Sequence, residues 1–315
     1  MFAVALPASS FILHPSSFLP PARPTMKAVT IEVPASTSNL GPGFDCLGVA
    51  LRLCNRVTVR REKPDAAPAG LAAVKMVREA AGAFWDHAGV TPFAFACEVT
   101  GDVPPSRGLG SSVTLRLGLV TALNVLAGRP LARQELFEVC AGLEGHPDNA
   151  APAQFGGFTV AGGGEDGHGV LRFPVASGLH FVLLIPDFEV RTDDARRLLP
   201  DAVSRRAAVA SAARACRITA AFAAGRYEAL RDVFEDSAFH QPHRLPLIPF
   251  LPDVLAAGRA AGALGGFLSG SGSTICCLTL ECPDAVADAM RGACGRDAAR
   301  TLVTTADNRG ARRKG

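Results

Sequence analysis

The chain has 315 residues, enough for one large domain or two ordinary ones. Hydrophobic residues make up 48% of it and charged residues 19%, a globular composition that excludes a disordered chain. Lys+Arg 32 against Asp+Glu 29 leaves a net charge of only +3, so no basic surplus points to nucleic acid or an anionic membrane. With one Trp and one Tyr, the chain also lacks the aromatics of a base-stacking platform.

Residues 1–25 stand apart. Their apolar start has no basic segment before it, and Pro7, Pro15, Pro20, Pro21 and Pro24 break every longer apolar run. This stretch cannot span a membrane, is a poor secretory signal, and reads as a disordered extension ahead of Met26. Val29, Ile31 and Val33 then alternate with polar neighbours, which predicts a strand; Leu51 to Arg60 repeats the pattern. A Pro/Ala/Gly loop over 62–70 leads to a helix from Leu71 to His87 and a strand from Phe93 to Val99. After a turn over Gly101–Gly110, a helix from about Ser112 to Leu126 is apolar nearly all round and is expected to be central. A helix over Arg133–Leu143 follows. Leu171–Val175 and His180–Ile185 read as strands, Thr192–Ala224 as two helices, and Leu251–Gly262 as another helix. Gly265–Ser273 reads as a glycine/serine loop before a strand over Thr274–Leu280. No internal repeat stands out. Strands and helices mix without regular alternation, so an α+β fold is expected, with a domain break near Gly162–Gly169.

Nine cysteines, with no C-x-x-C among them, fit small buried hydrophobes in a reducing compartment; a cytoplasmic protein without disulfides is expected. The strongest local signal is Val103-Pro-Pro-Ser-Arg-Gly-Leu-Gly-Ser-Ser-Val-Thr114, a glycine/serine loop opening directly into the apolar helix. Backbone N–H groups at such a helix start can face an anion, and the helix dipole adds roughly half a positive charge. Gly108 and Gly110 permit close approach of a phosphate, and Ser111 and Ser112 can cap the helix or bind a phosphate-bound cation. An ordinary serine N-cap after a turn accounts for the same pattern. The loop lacks the Lys of a Walker A motif and does not fit G-x-G-x-x-G.

These residues carry a resemblance. The loop resembles the second motif of the GHMP kinases, the family of galactokinase, homoserine kinase and mevalonate kinase. Pro34-Ala-Ser-Thr-Ser-Asn-Leu-Gly-Pro-Gly-Phe-Asp-Cys-Leu-Gly48 is similar to the N-terminal motif of homoserine kinases, and Gly265-Gly-Phe-Leu-Ser-Gly-Ser-Gly-Ser-Thr274 to the C-terminal glycine motif. Glu144-Gly-His-Pro-Asp-Asn-Ala-Ala-Pro-Ala153 resembles a block that bacterial homoserine kinases carry. The resemblance spans about residues 27 to 280. It implies a two-domain GHMP kinase architecture, with an N-terminal domain resembling ribosomal protein S5 domain 2 and a C-terminal α+β domain. The limits expected are 26–165 and 166–305, with a flexible tail over 306–315.

The resemblance also implies roles. ATP would lie on Pro104, Pro105, Ser106, Arg107, Gly108, Leu109, Gly110, Ser111, Ser112, Val113 and Thr114. Mg²⁺ would lie on Ser112 and Glu144, with Glu138 a rival carboxylate. The substrate would face Asn39, Asp45, Asn149, Thr192, Arg196, Arg244, Gly270 and Gly272. An Asp suits the substrate's ammonium, and two arginines suit its carboxylate. Asn149 would orient the reacting hydroxyl, since an amide has no useful basicity; His146 and Asp148 compete for a base role, and the D-N pair also fits a plain turn and cap. The implied reaction is ATP-dependent phosphorylation of L-homoserine, with another small-molecule kinase or a non-catalytic sensor as alternatives. Small-molecule substrates are implied, without nucleic acid or membrane, and a homodimer is compatible with this.

Overall fold

The computed structural model describes residues 26–63, 69–70, 74–162, 169–235, 238–295 and 298–315. The extension expected over 1–25 and the first residues of the helix expected from Leu71 lie outside the described residues.

Two long antiparallel strands, β1 (Ala28–Ser38) and β2 (Leu47–Arg61), form the centre of the first domain. Their alternation is the one the sequence shows: Val29, Ile31, Val33, Val57 and Val59 are buried, while Arg56 and Arg60 face out. β1 runs further than its apolar pattern, through Ser36, Thr37 and Ser38. The short β3 (Ala69–Gly70) precedes helix α1 (Lys75–Ala88), and β4 (Phe95–Gly101) pairs with both β2 and β3. Helices α2 (Ser111–Leu126), α3 (Arg133–Glu144) and α4 (Ala150–Phe155) follow, and then β5 (Phe158–Gly162) and β6 (Gly169–Phe173). α2 is central, as its composition requires, and packs its Leu117, Val120 and Leu123 into one core with the valines of β1 and β2. Gly118 permits that approach: a Cβ there would lie 2.5 Å from Val57 Cγ2.

The second domain starts at β7 (His180–Ile185), followed by helices α5 (Thr192–Arg197) and α6 (Arg205–Ala224). A short α7 (Gln241–Arg244) and α8 (Leu251–Ala260) precede β8 (Gly265–Leu268), β9 (Ile275–Thr279), α9 (Pro283–Cys294) and β10 (Arg300–Thr305). The sheet runs β10-β7-β9-β8, all antiparallel. β7 is buried on both faces. Val182 and Leu184 meet Val254, Val286 and Met290 of α8 and α9. Phe181 and Leu183 face a core shared with Leu47, Val49, Leu51 and Phe158 of the first domain.

Three sequence expectations change. The break near Gly162–Gly169 falls inside a hairpin, because β6 pairs with β5 in the first sheet; the chain crosses to the second sheet between Phe173 and His180. The first four residues of the expected Gly265–Ser273 loop are strand β8. The flexible tail is not one. Ala306 bridges Leu51, and β11 (Arg312–Arg313) pairs with β1 as the last strand of the first sheet. A two-residue strand carries no detectable period, and a basic run reads as solvated chain, so the sequence hides this return.

Candidate active site

A cleft of about 560 Å³ opens where the loop before α2 faces the start of α5 and the glycine loop between β8 and β9. α2 begins at Ser111 after Gly110, whose φ of 68° is left-handed and favours glycine. Neither Ser111 nor Ser112 caps the helix, so both hydroxyls and the first-turn N–H groups remain at its positive end. Pro105, Ser106, Arg107, Gly108, Gly110, Ser111, Ser112 and Val113 line the cleft. Pro104, Leu109 and Thr114 do not. Thr114 is buried and instead accepts from Asn55 Nδ2 at 2.8 Å. The two glycine loops pack on each other: a Cβ on Gly108 would meet Ser269 O at 2.1 Å, and one on Gly270 would meet Gly108 O at 3.2 Å. Gly272 backs onto Ile248 and Leu268 and is a packing position; its neighbour Ser271 lines the cleft.

Ser112 Oγ donates to Glu144 Oε2 at 3.1 Å, so the last residue of α3 is brought to the first turn of α2. Arg116, one helical turn after Ser112, donates to the other carboxylate oxygen at 2.5 Å. Glu138 is elsewhere, accepting from Gln134 in an exposed pair at 3.0 Å, and does not line the cleft. Two hard oxygens, one of them charged, suit Mg²⁺ beside phosphate.

Next to the cleft, though not among its lining residues, Arg196 clasps Asp45 with both terminal nitrogens, at 3.0 and 2.6 Å. Burial alone would lower the Arg196 pKa, but the bond and charge of Asp45 outweigh it and raise it, so the guanidinium stays charged. Arg244 is buried, and its Nη1 donates to Gly270 O at 2.9 Å and meets His240 Nδ1 at 3.1 Å. Both guanidiniums lie over one ring, that of Phe44, at 5.4 and 5.7 Å from its centroid. Asn39 is structural in this state: it donates to Gly270 O at 3.2 Å and accepts from Asp45 N at 3.0 Å. Thr192 opens α5 at the cleft's edge.

Between these two sides stands Asn149, the residue before α4, and it lines the cleft with His146. Its Oδ1 accepts from Ser36 Oγ at 2.8 Å and its Nδ2 donates to Ser38 Oγ at 2.9 Å. His146 Nδ1 meets Asp148 Oδ1 at 2.5 Å. Burial works against the charge on each of this pair, but their mutual bond and attraction win: His146 is raised above its usual pKa and Asp148 is held below the usual carboxylate range. Asp45, His146 and Asp148 offer polar atoms within 4.8 Å of one another.

Four participants escape sequence reading: Arg116, Phe44, and the strand serines Ser36 and Ser38. Only Arg116 has a readable signal, its four-residue spacing from Ser112 on a predicted helix.

The family description "GHMP kinases N terminal domain" matches residues 71–157, and "GHMP kinases C terminal" matches 218–296. The chain is 37% identical over 279 residues to a homoserine kinase of Microchaete diplosiphon, covering 85% of this chain and 91% of that one. It is 38% identical over 266 residues to a homoserine kinase of Deinococcus radiodurans, covering 82% and 85%. The crystal structure of homoserine kinase from Cytophaga hutchinsonii superposes with a TM-score of 0.82 at 26% identity, covering 93% of this chain and 99% of that one. The chain therefore belongs to the GHMP kinases, and within them to the homoserine kinases.

Proposed function

We propose that the protein transfers the γ-phosphoryl group of ATP to the side-chain hydroxyl of L-homoserine. The observation that carries this reading is the charged group beside Asn149: a carboxylate, Asp45, bonded to Arg196, with Arg244 on the same Phe44 ring. A zwitterionic amino acid can insert between such partners, its ammonium meeting Asp45 and its carboxylate the two arginines. Mevalonate and sugars offer no ammonium.

ATP would place its phosphates on the N–H groups from Ser106 to Ser112 and on the N-terminus of α2. Met76, Val99 and Leu115 give the cleft an apolar stretch suited to a base. Ser112 and Glu144 would hold Mg²⁺, which when bound would neutralise phosphate charge. Arg116 steadies Glu144 through its 2.5 Å bond. The substrate's hydroxyl is oriented by Asn149, and the new bond to γ-phosphorus forms as the bond to the ADP oxygen breaks. The hydroxyl proton passes to a phosphoryl oxygen, as a loose transition state needs little prior deprotonation of the nucleophile.

A second reading has its own observation. His146 lines the cleft and is held by buried Asp148, the arrangement of a general base with an orienting carboxylate. His146→Asn separates the two: a fall in kcat within about tenfold favours orientation, and one beyond about a hundredfold, with normal folding and homoserine affinity, restores the base. The substrate is tested by a coupled ADP assay with MgATP over L-homoserine, L-serine, mevalonate and galactose. Turnover should be confined to L-homoserine; preferred turnover of mevalonate or galactose would overturn the reading.

A further inference from the structure

β1 ends in three consecutive hydroxyls, Ser36, Thr37 and Ser38, each 0% exposed. A buried hydroxyl is costly unless bonded, and the other buried residues of this strand, Val29, Ile31, Val33, Pro34 and Ala35, are apolar. Strand alternation sends Thr37 to one face and Ser36 and Ser38 to the other. Thr37 bonds Ser269 at 2.8 Å, and Ser269 donates to Gly108 O at 2.6 Å, which ties the two glycine loops together. Ser36 and Ser38 both converge on the amide of Asn149.

An amide can be turned over about its last torsion, exchanging donor and acceptor. Its surroundings permit one setting. Asp148 is buried and anionic, so it only accepts; its pKa is pushed up by burial but pulled lower overall by bonds from His146 and Ser38. Ser38 Oγ accepts from Asn149, which leaves its own proton free to turn toward Asp148. Asn149 Nδ2 lies 2.9 Å from that oxygen and 3.5 Å from Asp148 Oδ1. The reversed amide would set an oxygen against the Asp148 carboxylate, which can only accept. The observed setting turns Oδ1 toward Ser36 and the phosphate loop: a Cβ on Gly110 would sit 3.3 Å from Oδ1 and 2.3 Å from Ser36 Oγ. Ser36 uses one lone pair of Oδ1, and the second remains for a ligand.

We propose that Ser36, Ser38 and Asp148 are positioning residues that fix Asn149 as a hydrogen-bond acceptor on the side of the phosphate loop. This rests on the reading of the site as an alcohol kinase and deepens it. An acceptor there takes a hydrogen bond from the substrate hydroxyl and so leaves an oxygen lone pair aimed at the γ-phosphorus; the amide does not keep the proton, which leaves for a phosphoryl oxygen once the bond to phosphorus has formed. A donor in the same place would occupy that lone pair and oppose attack.

Two measurements test this. The first needs no substrate: ¹H–¹⁵N spectra of the free enzyme, with the Asn149 carboxamide assigned by its loss in Asn149→Leu. Ser38→Ala should speed exchange of these amide protons about tenfold or more and shift both resonances; an unchanged carboxamide overturns the proposal whatever the acceptor alcohol is. The second is a double-mutant cycle on kcat. Ser36→Ala and Ser38→Ala should each lower kcat about tenfold or more, with KM for ATP within about twofold. In an Asn149→Ala background both should lose their effect, while Thr37→Ala, on the opposite face, should remain additive. Equal losses for the serine variants with and without Asn149 would show a merely structural role. If Ser38→Ala does not fold, Ser36→Ala carries the same cycle. Turnover of a different alcohol, with the spectra as expected, would sink the homoserine reading and leave this one standing.

Discussion

Charge around the proposed substrate pocket is organised by one aromatic ring. Two guanidiniums aimed at a common ligand repel each other, and the negative face of Phe44 offsets part of that repulsion at 5.4 and 5.7 Å. His240 stacks on the same ring at 5.4 Å and holds Arg244 through Nδ1. Phe44→Leu keeps an apolar filler but removes the ring. It should raise KM for homoserine about fivefold or more and leave KM for ATP unchanged, since a cation–π contact is worth at least about 0.5–1 kcal/mol; equal rises in both would mean a general loosening. Arg196→Lys and Arg244→Lys lose the planar fork, so each should weaken homoserine far more than ATP, by about 1.5–3 kcal/mol for a charge-assisted bond. An unchanged KM for homoserine in both would remove the arginines from the carboxylate site. For the metal, Glu144→Gln should raise the Mg²⁺ concentration needed for half-maximal rate while Glu138→Gln has little effect; the reverse result would exchange their roles. Cys46, next to Asp45, looks reactive by its half-buried place, yet burial first, and then the charges of Asp148 and Asp45, push its thiol up to about 11. At pH 8 only about one thiol in a thousand is then ionised, so iodoacetamide should label exposed Cys216 and Cys282 well before Cys46. Labelling of Cys46 should rise about tenfold per pH unit up to pH 11, and fast labelling at pH 8 would contradict that environment.

Elements with a strong period were legible in the residues alone. The alternation of Val29, Ile31 and Val33 and the all-round apolar α2 both appear where expected. The glycine/serine loops were legible as motifs, because such runs are distinctive. What stayed hidden was the strand character of Ser36–Ser38, since hydroxyl residues read as loop when their partners, Asn149 and Ser269, lie 113 and 232 residues away. Of the two roles open to Ser111 and Ser112, capping is absent, because Gly110 in the left-handed region starts the helix without a side-chain cap. Packing, not propensity, governs the middle of α2. Gly118→Ala gains about 1 kcal/mol of helix propensity. Its new methyl would nevertheless lie 2.5 Å from Val57 Cγ2 and 3.2 Å from Val33 Cγ2, and overpacking a core costs about 1–3 kcal/mol. The variant should have a lower Tm despite the better helix former; a higher Tm would show that the β1–β2 face yields to the helix.

At the scale of the whole molecule, the first domain is built from two segments far apart in the chain, residues 28–173 and 306–314. After β10 the chain leaves the second sheet and runs across the first. Asp307 N donates to Ala50 O at 2.9 Å, and Gly157 N donates to Asp307 O at 2.8 Å. The Asp307 carboxylate accepts from Arg309 N, Gly310 N and Arg312, and Arg312 also pairs with Glu32 of β1. Ala311 N donates to Ala153 O at 2.8 Å, and Lys314 N to Thr30 O at 2.9 Å. The contact at Ala153 bears on the role proposed for Asn149, because α4 begins directly after Asn149 and ends against this segment. A Cβ on Gly156, just past α4, would lie 2.6 Å from Arg309 N, so the fit is close on both sides. Ending the chain at Thr305 should therefore do two things. It should lower Tm by stripping an edge strand and exposing the bonded backbone of β1 and β2. It should also lower kcat more than it raises KM for ATP, because α4 loses its support while the phosphate loop, held by Ser269 and Arg107, keeps its own. Removing Lys314 and Gly315 alone gives up one of these bonds and should change neither quantity by much. If the chain ended at Thr305 keeps both its Tm and its kcat, the segment is an appendage, and the orientation of α4 is set by the first sheet without it.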